Sequence, residues 1–351
     1  MTSPSVAVVI PFHNGSDWIE RAIKSAVNQT RPSKEVIVVD DGSIEIESAK
    51  LAELKAKYSF EIFSQVNAGQ SVARNLGVSI ANSDFICFLD QDDYFLPNHI
   101  ELLIGASNLE DEKFGFSYGD LLRVTESGET LSHSSLPSPH PLMDTQSMIS
   151  QNMHILPSAT LIKRTAFLDL GGFDESLQGY EDDDLFLRFH LAGFTINFTP
   201  EPVSAWTINR SSTSFSESMS RSRFLYFKKL LGMFRTDLAA GNTVFESALF
   251  PRFAYKFADD VIYSALNGGE HFKERAGRLK SFVEEVRKSK NMKPATRRNY
   301  LVATWPLVSL GPKPLGGFLA IALKMAPVLS SLKIDLLDEF LARHSPLKKS
   351  V

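Results

Sequence analysis

Two short runs of carboxylates are the groups in this 351-residue sequence best suited to do chemistry. The first run, Asp90-Gln91-Asp92-Asp93, has three acids within four residues. Because like charges this close repel one another, a bound divalent cation is the simplest partner that makes the arrangement favourable. Carboxylate oxygens favour Mg²⁺ or Mn²⁺, which take one or two protein carboxylates together with water and substrate phosphate. We therefore predict a metal site here, with a solvated loop as the alternative.

The second run, Glu181-Asp182-Asp183-Asp184, lies at the predicted start of a helix. The helix macrodipole favours acids at that position, but one or two acids would satisfy it. Crowding of four like charges raises the pKa of at least one member, which is what a general base near neutral pH requires. From the residues alone, a general base and an ordinary helix start are equally good interpretations.

A third acidic segment, Asp40-Asp41-Gly42-Ser43, has the residue types of a tight turn, so a structural and a functional role are equally good explanations of it. It follows an apolar segment, as do the polar turn at 12–15 and the acidic turn at 90–93. The preceding segments are typical of buried strands: 6–10, 36–39 and 85–89. Helical periodicity lies between them: 19–27, 46–57 and 70–81.

This alternation of strands and helices predicts an α/β fold with a mostly parallel sheet and helices on both faces. Ligands of such sheets bind at the carboxyl ends of the strands. We therefore expect the three polar turns to lie on one edge of the sheet and to form a single site.

The pattern becomes mixed over 110–215, where we predict strands at 159–162, 195–198 and 203–207 and a helix at 181–192. After residue 216 the strand signals end and amphipathic helix patterns replace them. We expect one domain over 1–215, with a ligand-binding half at 1–110 and a second half at 111–215, followed by a helical region over 216–351.

Charge is distributed unevenly along the chain, although the formal net charge is only -4. Residues 1–215 carry 14 Lys and Arg against 29 Asp and Glu, whereas residues 216–351 carry 23 against 12. The acidic first part makes a nucleic-acid enzyme a poor interpretation. Cys87 is the sole cysteine in the sequence, so an internal disulfide and a cysteine zinc site are both excluded.

Other well-known chemical motifs are missing from the sequence. It contains no P-loop, no G-x-G-x-x-G after the first strand, no G-x-S-x-G elbow and no H-E-x-x-H pair. The sequence also shows neither a secretory signal nor an uninterrupted apolar run of about 20 residues. We expect a cytoplasmic enzyme without membrane-spanning helices.

Six motifs in order along residues 5–215 resemble those of family 2 glycosyltransferases of the GT-A fold. They are 8–14 (VVIPFHN), 38–43 (VVDDGS), 67–69 with 73–75 (NAG and ARN), 88–93 (FLDQDD), 171–174 (GGFD) and 180–185 (YEDDDL). The resemblance implies an inverting transfer of a sugar from a nucleotide-sugar, with a UDP-sugar favoured, to an acceptor hydroxyl. Half 1–110 would then bind the nucleotide-sugar and half 111–215 the acceptor. The products expected of such an enzyme are cell-surface glycans, polysaccharides or glycolipids.

The resemblance also implies roles for individual residues. Pro11 and His13 would border the nucleotide base, although many relatives have Tyr at the position of His13. Asp41 would hydrogen-bond the base, and Arg74 and Arg210 would contact the nucleotide or the diphosphate.

The acidic motifs receive their roles in the same way. Asp90 and Asp92 match the DxD pair that holds the donor and a Mn²⁺ or Mg²⁺ ion, with Asp92 the direct metal ligand. Asp182 matches the general base. Two other classes stay open: a metal-dependent nucleotidyltransferase, which would need no base at Asp182, and a non-catalytic module that binds sugar-nucleotides or glycans.

The basic tail suggests a second partner. Apolar residues on one face of 221–235 and the apolar segment 301–332 accompany its excess of Lys and Arg. We hypothesise peripheral attachment of residues 216–351 to an anionic membrane surface, on the inner face of the membrane, which would suit a lipid-linked acceptor. Packing of the same apolar face inside the protein is the alternative.

Overall fold

The computed structural model describes residues 4–132, 140, 144–208, 216–234 and 243–317. The chain divides into two compact units, Met1–Thr213 and Ser214–Val351. The first contains the sheet and the second is helical where it is described.

A nine-stranded mixed sheet forms the centre of the first unit, with the order β3-β2-β1-β4-β8-β6-β9-β5 and with β7 paired to β6. The strands are β1 Val6–Phe12, β2 Glu35–Asp41, β3 Glu61–Gln65, β4 Phe85–Phe88, β5 Tyr94–Phe95, β6 Phe114–Val124, β7 Thr130–Ser132, β8 Thr160–Lys163 and β9 Thr195–Thr207. Pairing is parallel from β3 through β4, as the alternation of strands and helices predicts. The α/β fold prediction is confirmed.

The second half of the sheet adds antiparallel pairs. Strand β8 runs antiparallel to both β4 and β6, so β6 runs in the same direction as β4. The sequence analysis missed β6, because both of its faces are buried and no alternation of polar and apolar residues marks it. Its pairing with β9 shifts register around Asp120. The two short strands predicted at 195–198 and 203–207 are parts of the single strand β9.

Helices cover the sheet of the first unit. They are α1 Ser16–Val27, α2 Glu45–Lys55, α3 Gln70–Ile80, α4 His99–Ala106, α5 Thr145–Ser150, α6 Arg164–Asp169 and α7 Glu181–Leu191. The core consists of β-branched and aromatic side chains of the strands, for example Val8, Ile10 and Val38, packed against α1 residues such as Ile19 and Ile23. Helix α3 lies directly on β1, because a Cβ at Gly77 would come within 2.3 Å of Val9.

The described part of the second unit consists of helices at Glu217–Met233, Phe250–Leu266, Phe272–Lys288 and Pro294–Ser309, the second of them preceded by a π-helical turn at Phe245–Leu249. Aromatic rings form its core, with Phe227 within 5.7 Å of the rings of Phe253, Phe257 and Phe282. The prediction of a helical C-terminal region is confirmed. No helix among the described residues is long and apolar enough to cross a membrane.

Candidate active site

The three polar turns lie on one edge of the sheet. Strand β1 pairs in parallel with β2 and with β4, so the residues that follow Phe12, Asp41 and Phe88 emerge at the same side. This is the carboxyl edge at which parallel sheets bind ligands.

The two aspartates at the end of β2 hold backbone in place. Both are buried, at 3% exposure for Asp40 and 4% for Asp41. The Asp40 carboxylate accepts hydrogen bonds from the Ser43 N–H and the Ser48 hydroxyl, which fixes the turn into α2. The Asp41 carboxylate accepts from the N–H groups of Ala68 and Gly69, each at 2.8 Å.

A third donor, the Gln65 amide, lies 2.7 Å from the same Asp41 carboxylate. Asp41 therefore ties the end of β2 to the loop that opens α3. Pro11, predicted to border the same site, is buried within β1.

The exposed His13 imidazole stands directly after β1 in a network that sets its tautomer. Its Nδ1 lies 3.0 Å from the main-chain oxygen of Asp41, which can only accept, so Nδ1 carries the hydrogen. Its Nε2 then accepts from the Asn14 amide at 3.0 Å. The Asn14 orientation is fixed in turn, because its Oδ1 accepts from the Ile44 N–H. His13 is thus held at the mouth of the edge, next to the Asn67 side chain.

The three aspartates of the acidic turn after β4 make different contacts. Asp93 is 2% exposed and accepts from the Thr207 N–H at 2.9 Å and the Ser158 hydroxyl at 3.1 Å. The main-chain oxygen of Asp92 accepts from Arg21 and from the Thr207 hydroxyl, both at 2.6 Å. These bonds anchor the turn and leave the carboxylates of Asp90 and Asp92 as the partly exposed pair.

The donor chemistry of that pair fits a divalent cation. Burial and the charge of Asp90 raise the pKa of the Asp92 carboxyl, so a cation would stabilise its ionised form. Two carboxylates also match what Mg²⁺ or Mn²⁺ takes from a protein when phosphate and water complete the shell. Among the described residues, no group of three or more His, Cys, Asp or Glu side chains could hold a metal by itself.

Three of the four acids at the start of α7 have structural partners. Glu181 accepts from the Arg74 guanidinium at 3.1 Å. Asp183 accepts from the Met153 N–H at 3.2 Å, and Asp184 pairs with Arg188 at 2.8 Å.

Asp182 is different, because the described residues place no cation and no donor from another element at its half-buried carboxylate. Burial, together with the charges of Asp183 and Glu181, raises the pKa of Asp182 well above its ordinary value. A carboxylate of this kind accepts a proton readily near neutral pH. The structure thus separates the four acids that the sequence presents as equivalent.

Arg74 joins the two acidic runs. It lies on α3 at 2% exposure, with one Nη 2.5 Å from Asp90 and the other 3.1 Å from Glu181. Burial lowers the pKa of the Arg74 guanidinium, but the charges of Asp90 and Glu181 outweigh it and keep the group protonated. The remaining predicted residue, Arg210, lies outside the described residues.

Four site residues were not predicted from the sequence. Gln91 holds the β1 and β4 turns together, since its Oε1 accepts from the His13 N–H at 2.9 Å. Arg21 and Thr207 anchor Asp92, and Asn67 lies beside His13. Gln91 packs on a glycine, because a Cβ at Gly15 would lie 2.4 Å from the Gln91 amide.

Two family models match the chain. Residues 7–171 match the model for glycosyl transferase family 2, and residues 124–245 match that for glycosyltransferase-like family 2. Together they span the sheet and the first helix of the second unit.

Similar curated proteins carry related names. An uncharacterized glycosyltransferase of Rickettsia bellii is 37% identical over 126 residues, which are 36% of this chain and 18% of that protein. The cholesterol galactosyltransferase of Borreliella burgdorferi is 40% identical over 108 residues, 30% of each chain. The putative glycosyltransferase EpsH of Bacillus subtilis is 25% identical over 249 residues, 68% of this chain and 70% of that one. The chain spans 31% and 22% of two further Rickettsia relatives, so several of them are much longer.

Solved structures show the same fold. The crystal structure of S. aureus TarS 1-349 in complex with UDP-GlcNAc superimposes with a TM-score of 0.62 at 15% identity, over 87% of this chain and 88% of that one. The structure of TarS 1-349 by itself gives a TM-score of 0.60 at 16% identity.

The sheet, its flanking helices and these neighbours define a GT-A type α/β fold with an acidic candidate site at its carboxyl edge. Residues 7–171 belong to glycosyltransferase family 2 by their match to its model, as the order of the sequence motifs predicts.

The different contacts of the four acids at the start of α7 lead to a prediction about stability. Asp184→Asn should lower the free energy of unfolding by about 3 kcal/mol, because it leaves Arg188 beside a buried group that no longer carries charge. Asp182→Asn should leave stability at pH 7 unchanged or higher, because a raised pKa means that the fold disfavours the ionised form. Below the unfolded pKa of about 3.9 that gain should vanish.

Urea unfolding of both variants at pH 7 and at acid pH measures these differences. Equal destabilisation by the two substitutions at pH 7 would contradict the assignment of Asp184 as structural and Asp182 as free.

Proposed function

We propose that the protein is an inverting, divalent-cation-dependent glycosyltransferase that moves a sugar from a UDP-sugar to an acceptor hydroxyl. The observation that carries the proposal is the state of Asp182, the one acid of its run without a structural partner among the described residues and one with a raised pKa. It opens a helix that Arg74 joins to the acidic turn at the ligand edge of the sheet.

The chemistry follows from this placement. Asp182 removes the proton from the acceptor hydroxyl as the hydroxyl oxygen forms its bond to the anomeric carbon. The bond from that carbon to the diphosphate oxygen breaks on the opposite face, and UDP leaves with the electron pair. One base is sufficient for inversion, since the leaving diphosphate needs no protonation once its charge is stabilised.

Asp90 and Asp92 are the residues that would hold Mn²⁺ or Mg²⁺, which supplies Lewis-acid stabilisation of the leaving diphosphate. Asp92 is the direct ligand in this proposal, because Asp90 already pairs with Arg74 and burial disfavours the ionised form of Asp92 that a cation would stabilise. The bonds from Arg21 and Thr207 to its main chain hold the turn in place before a donor arrives.

We assign the binding site for the nucleotide base of the sugar donor to the ends of β1 and β2. His13 offers an exposed imidazole ring there, and Asp41 fixes the loop beside it. Support for UDP comes from the fold neighbour TarS, whose crystal structure contains UDP-GlcNAc. In this arrangement Asp41 acts by shaping the base pocket, and Pro11 forms its floor from within β1. Arg210 remains a predicted contact near the nucleotide or diphosphate.

The acceptor is assigned to half 111–215, which contributes Asp182 and faces the same edge through β6. We propose a hydroxyl of a glycan, polysaccharide or glycolipid as the acceptor. The name of one relative, a cholesterol galactosyltransferase, supports an acceptor of lipid character.

A lipid-linked acceptor agrees with peripheral attachment of the second unit to the inner face of an anionic membrane. The face of 221–235 that the sequence suggested is not available for it, because Phe227 and Leu230 are buried inside the unit. The helix Pro294–Ser309 presents Val302 and Trp305 instead, at 68% and 60% exposure. Exposed Arg298 lies one turn before Val302, and cationic and apolar groups together suit anionic lipid headgroups.

The general base is tested by Asp182→Asn. We expect turnover to fall about 100- to 10,000-fold with the donor KM changed little, because proton removal is lost while donor contacts remain. The exposed Asp169, at the end of α6, provides the matched control Asp169→Asn, which should keep wild-type turnover.

The pH profile tests the same residue independently. Because the pKa of Asp182 is raised, the acid limb of kcat/KM in the wild type should lie well above the ordinary Asp value of about 3.9. Near-normal turnover of Asp182→Asn would eliminate the base assignment. Release of pyrophosphate in place of UDP would identify a nucleotidyltransferase.

The metal role is tested by thermal unfolding with UDP and Mn²⁺ or with UDP and a chelator. A ligand that binds the folded state raises stability by RT ln(1 + [L]/Kd), so the wild type should show a Mn²⁺-dependent shift. Asp92→Ala should lose that shift. If the variant retains it, Asp92 is not the metal ligand. A metal-dependent shift in the wild type without sugar transfer to any acceptor would favour a binding module.

Membrane attachment is tested by sedimentation of the full-length protein with vesicles at low salt. Anionic vesicles should pellet it and neutral vesicles should not. The double substitution Val302→Ser with Trp305→Ser should weaken binding at least about tenfold, because it removes the apolar contact. Leu131→Ser, at a residue of 54% exposure in the first unit, is the matched control and should bind normally. No pelleting with anionic vesicles would contradict the proposal.

A further inference from the structure

Arg74 is the one described side chain that forms ion pairs with both acidic runs of the site. Its two terminal nitrogens reach different carboxylates, Asp90 on the turn after β4 and Glu181 at the start of α7. Glu181 precedes Asp182 directly in the chain. A single buried cation thus connects the segment assigned to the donor with the segment assigned to the base.

The surroundings of Arg74 enclose it. The Phe173 ring lies 5.3 Å from the guanidinium carbon, and Gln70 donates to the same Glu181 oxygen at 2.5 Å. At 2% exposure and with both Nη groups engaged, the guanidinium has no free face toward a nucleotide. This placement does not suit the direct donor contact that the family resemblance implies.

The pairing also leaves polar atoms unsatisfied. Arg74 Nε and Glu181 Oε2 are buried without a hydrogen-bond partner among the described residues. Orphaned polar atoms of this kind lower stability, and in native proteins they call for an explanation such as a functional constraint. Neighbouring parts of α3 hold the arrangement, since the Ser71 hydroxyl donates to the Leu177 carbonyl and Asn75 pairs with the Phe173 main chain.

We propose that Arg74 is a positioning residue that fixes the Asp90 side chain relative to the first turn of α7 and thereby sets the place of Asp182. The proposal rests on the proposed glycosyltransferase function. Inversion requires the base and the leaving diphosphate on opposite sides of the anomeric carbon. A misplacement of about 1 Å between such groups costs on the order of 100-fold in rate.

Arg74 has an electrostatic effect on the base as well. The charge of Glu181 raises the pKa of Asp182, whereas that of Arg74 lowers it. The charged groups that act on Asp182 are Asp183 and Glu181 on α7 itself and Arg74 on α3. Removal of the Arg74 cation should therefore raise the pKa of Asp182 further.

The test uses Arg74→Gln and Arg74→Lys in the full chain. For Arg74→Gln we expect kcat to fall about 10- to 100-fold and the acid limb of the pH profile to move to higher pH. The affinity for UDP at saturating Mn²⁺ should stay within about threefold. Arg74→Lys should recover part of the rate and the wild-type acid limb, because it keeps the cation.

A matched control comes from the second unit, where Arg223 pairs with Asp260 at 2.5 Å and is similarly buried. Arg223→Gln should lower stability and leave kcat unchanged. An equal loss of kcat in Arg223→Gln would overturn the proposal in favour of general destabilisation. A loss of UDP affinity above about tenfold in Arg74→Gln would overturn it in favour of a direct donor contact.

Two further measurements test the proposal if Arg74→Gln does not fold or if the wild type transfers no sugar. If Arg74→Gln does not fold, Glu181→Gln tests the same link from its other end, and normal kcat in that variant would overturn the proposal. If the wild type transfers no sugar, the proposed function fails by itself. The pH dependence of the stability difference between wild type and Asp182→Asn then reports the pKa of Asp182 without catalysis. No change in that dependence on an Arg74→Gln background would overturn the link.

Discussion

Crowding of carboxylates at one edge of the sheet is the constraint on which the rest of the first unit depends. Parallel pairing of β1, β2 and β4 brings the acidic turns together, and each buried acid there must then find a donor or a cation. Asp41 takes backbone N–H groups of the next loop, and Asp93 takes a hydroxyl and an N–H. We assign chemistry to the partly exposed Asp90, which pairs with Arg74, and to Asp92 and Asp182.

Helix α3 connects several segments around the candidate site. The loop before it satisfies Asp41, its first turn supplies Gln70 and Ser71, and its second turn supplies Arg74. Together these contacts reach Asp41, Leu177, Glu181 and Asp90, so the helix acts as a rigid spacer between several segments of the first unit. Close packing on β1 at Gly77 sets the depth at which Arg74 enters the site. A helix is well suited to this task, since its side chains keep fixed spacing along one face.

The second unit is stabilised differently. Its core is a cluster of phenylalanine rings, and buried ion pairs such as Arg223 with Asp260 lie beside it. The described part of this unit exposes Val302 and Trp305, and exposed Arg298 lies one turn before Val302.

The sequence by itself determined the strands β1, β2 and β4, the order of the motifs and the family, because apolar runs and turn residues are local signals. It did not reveal β6, whose two buried faces give no periodic pattern. The residue types alone could not rank the four acids of α7, and only the family resemblance singled out Asp182. Only the tertiary structure decided that Arg74, Met153 and Arg188 neutralise or bond three of them and leave Asp182. The physical reason is that the pKa of a carboxyl depends on burial and on charges contributed by distant parts of the chain.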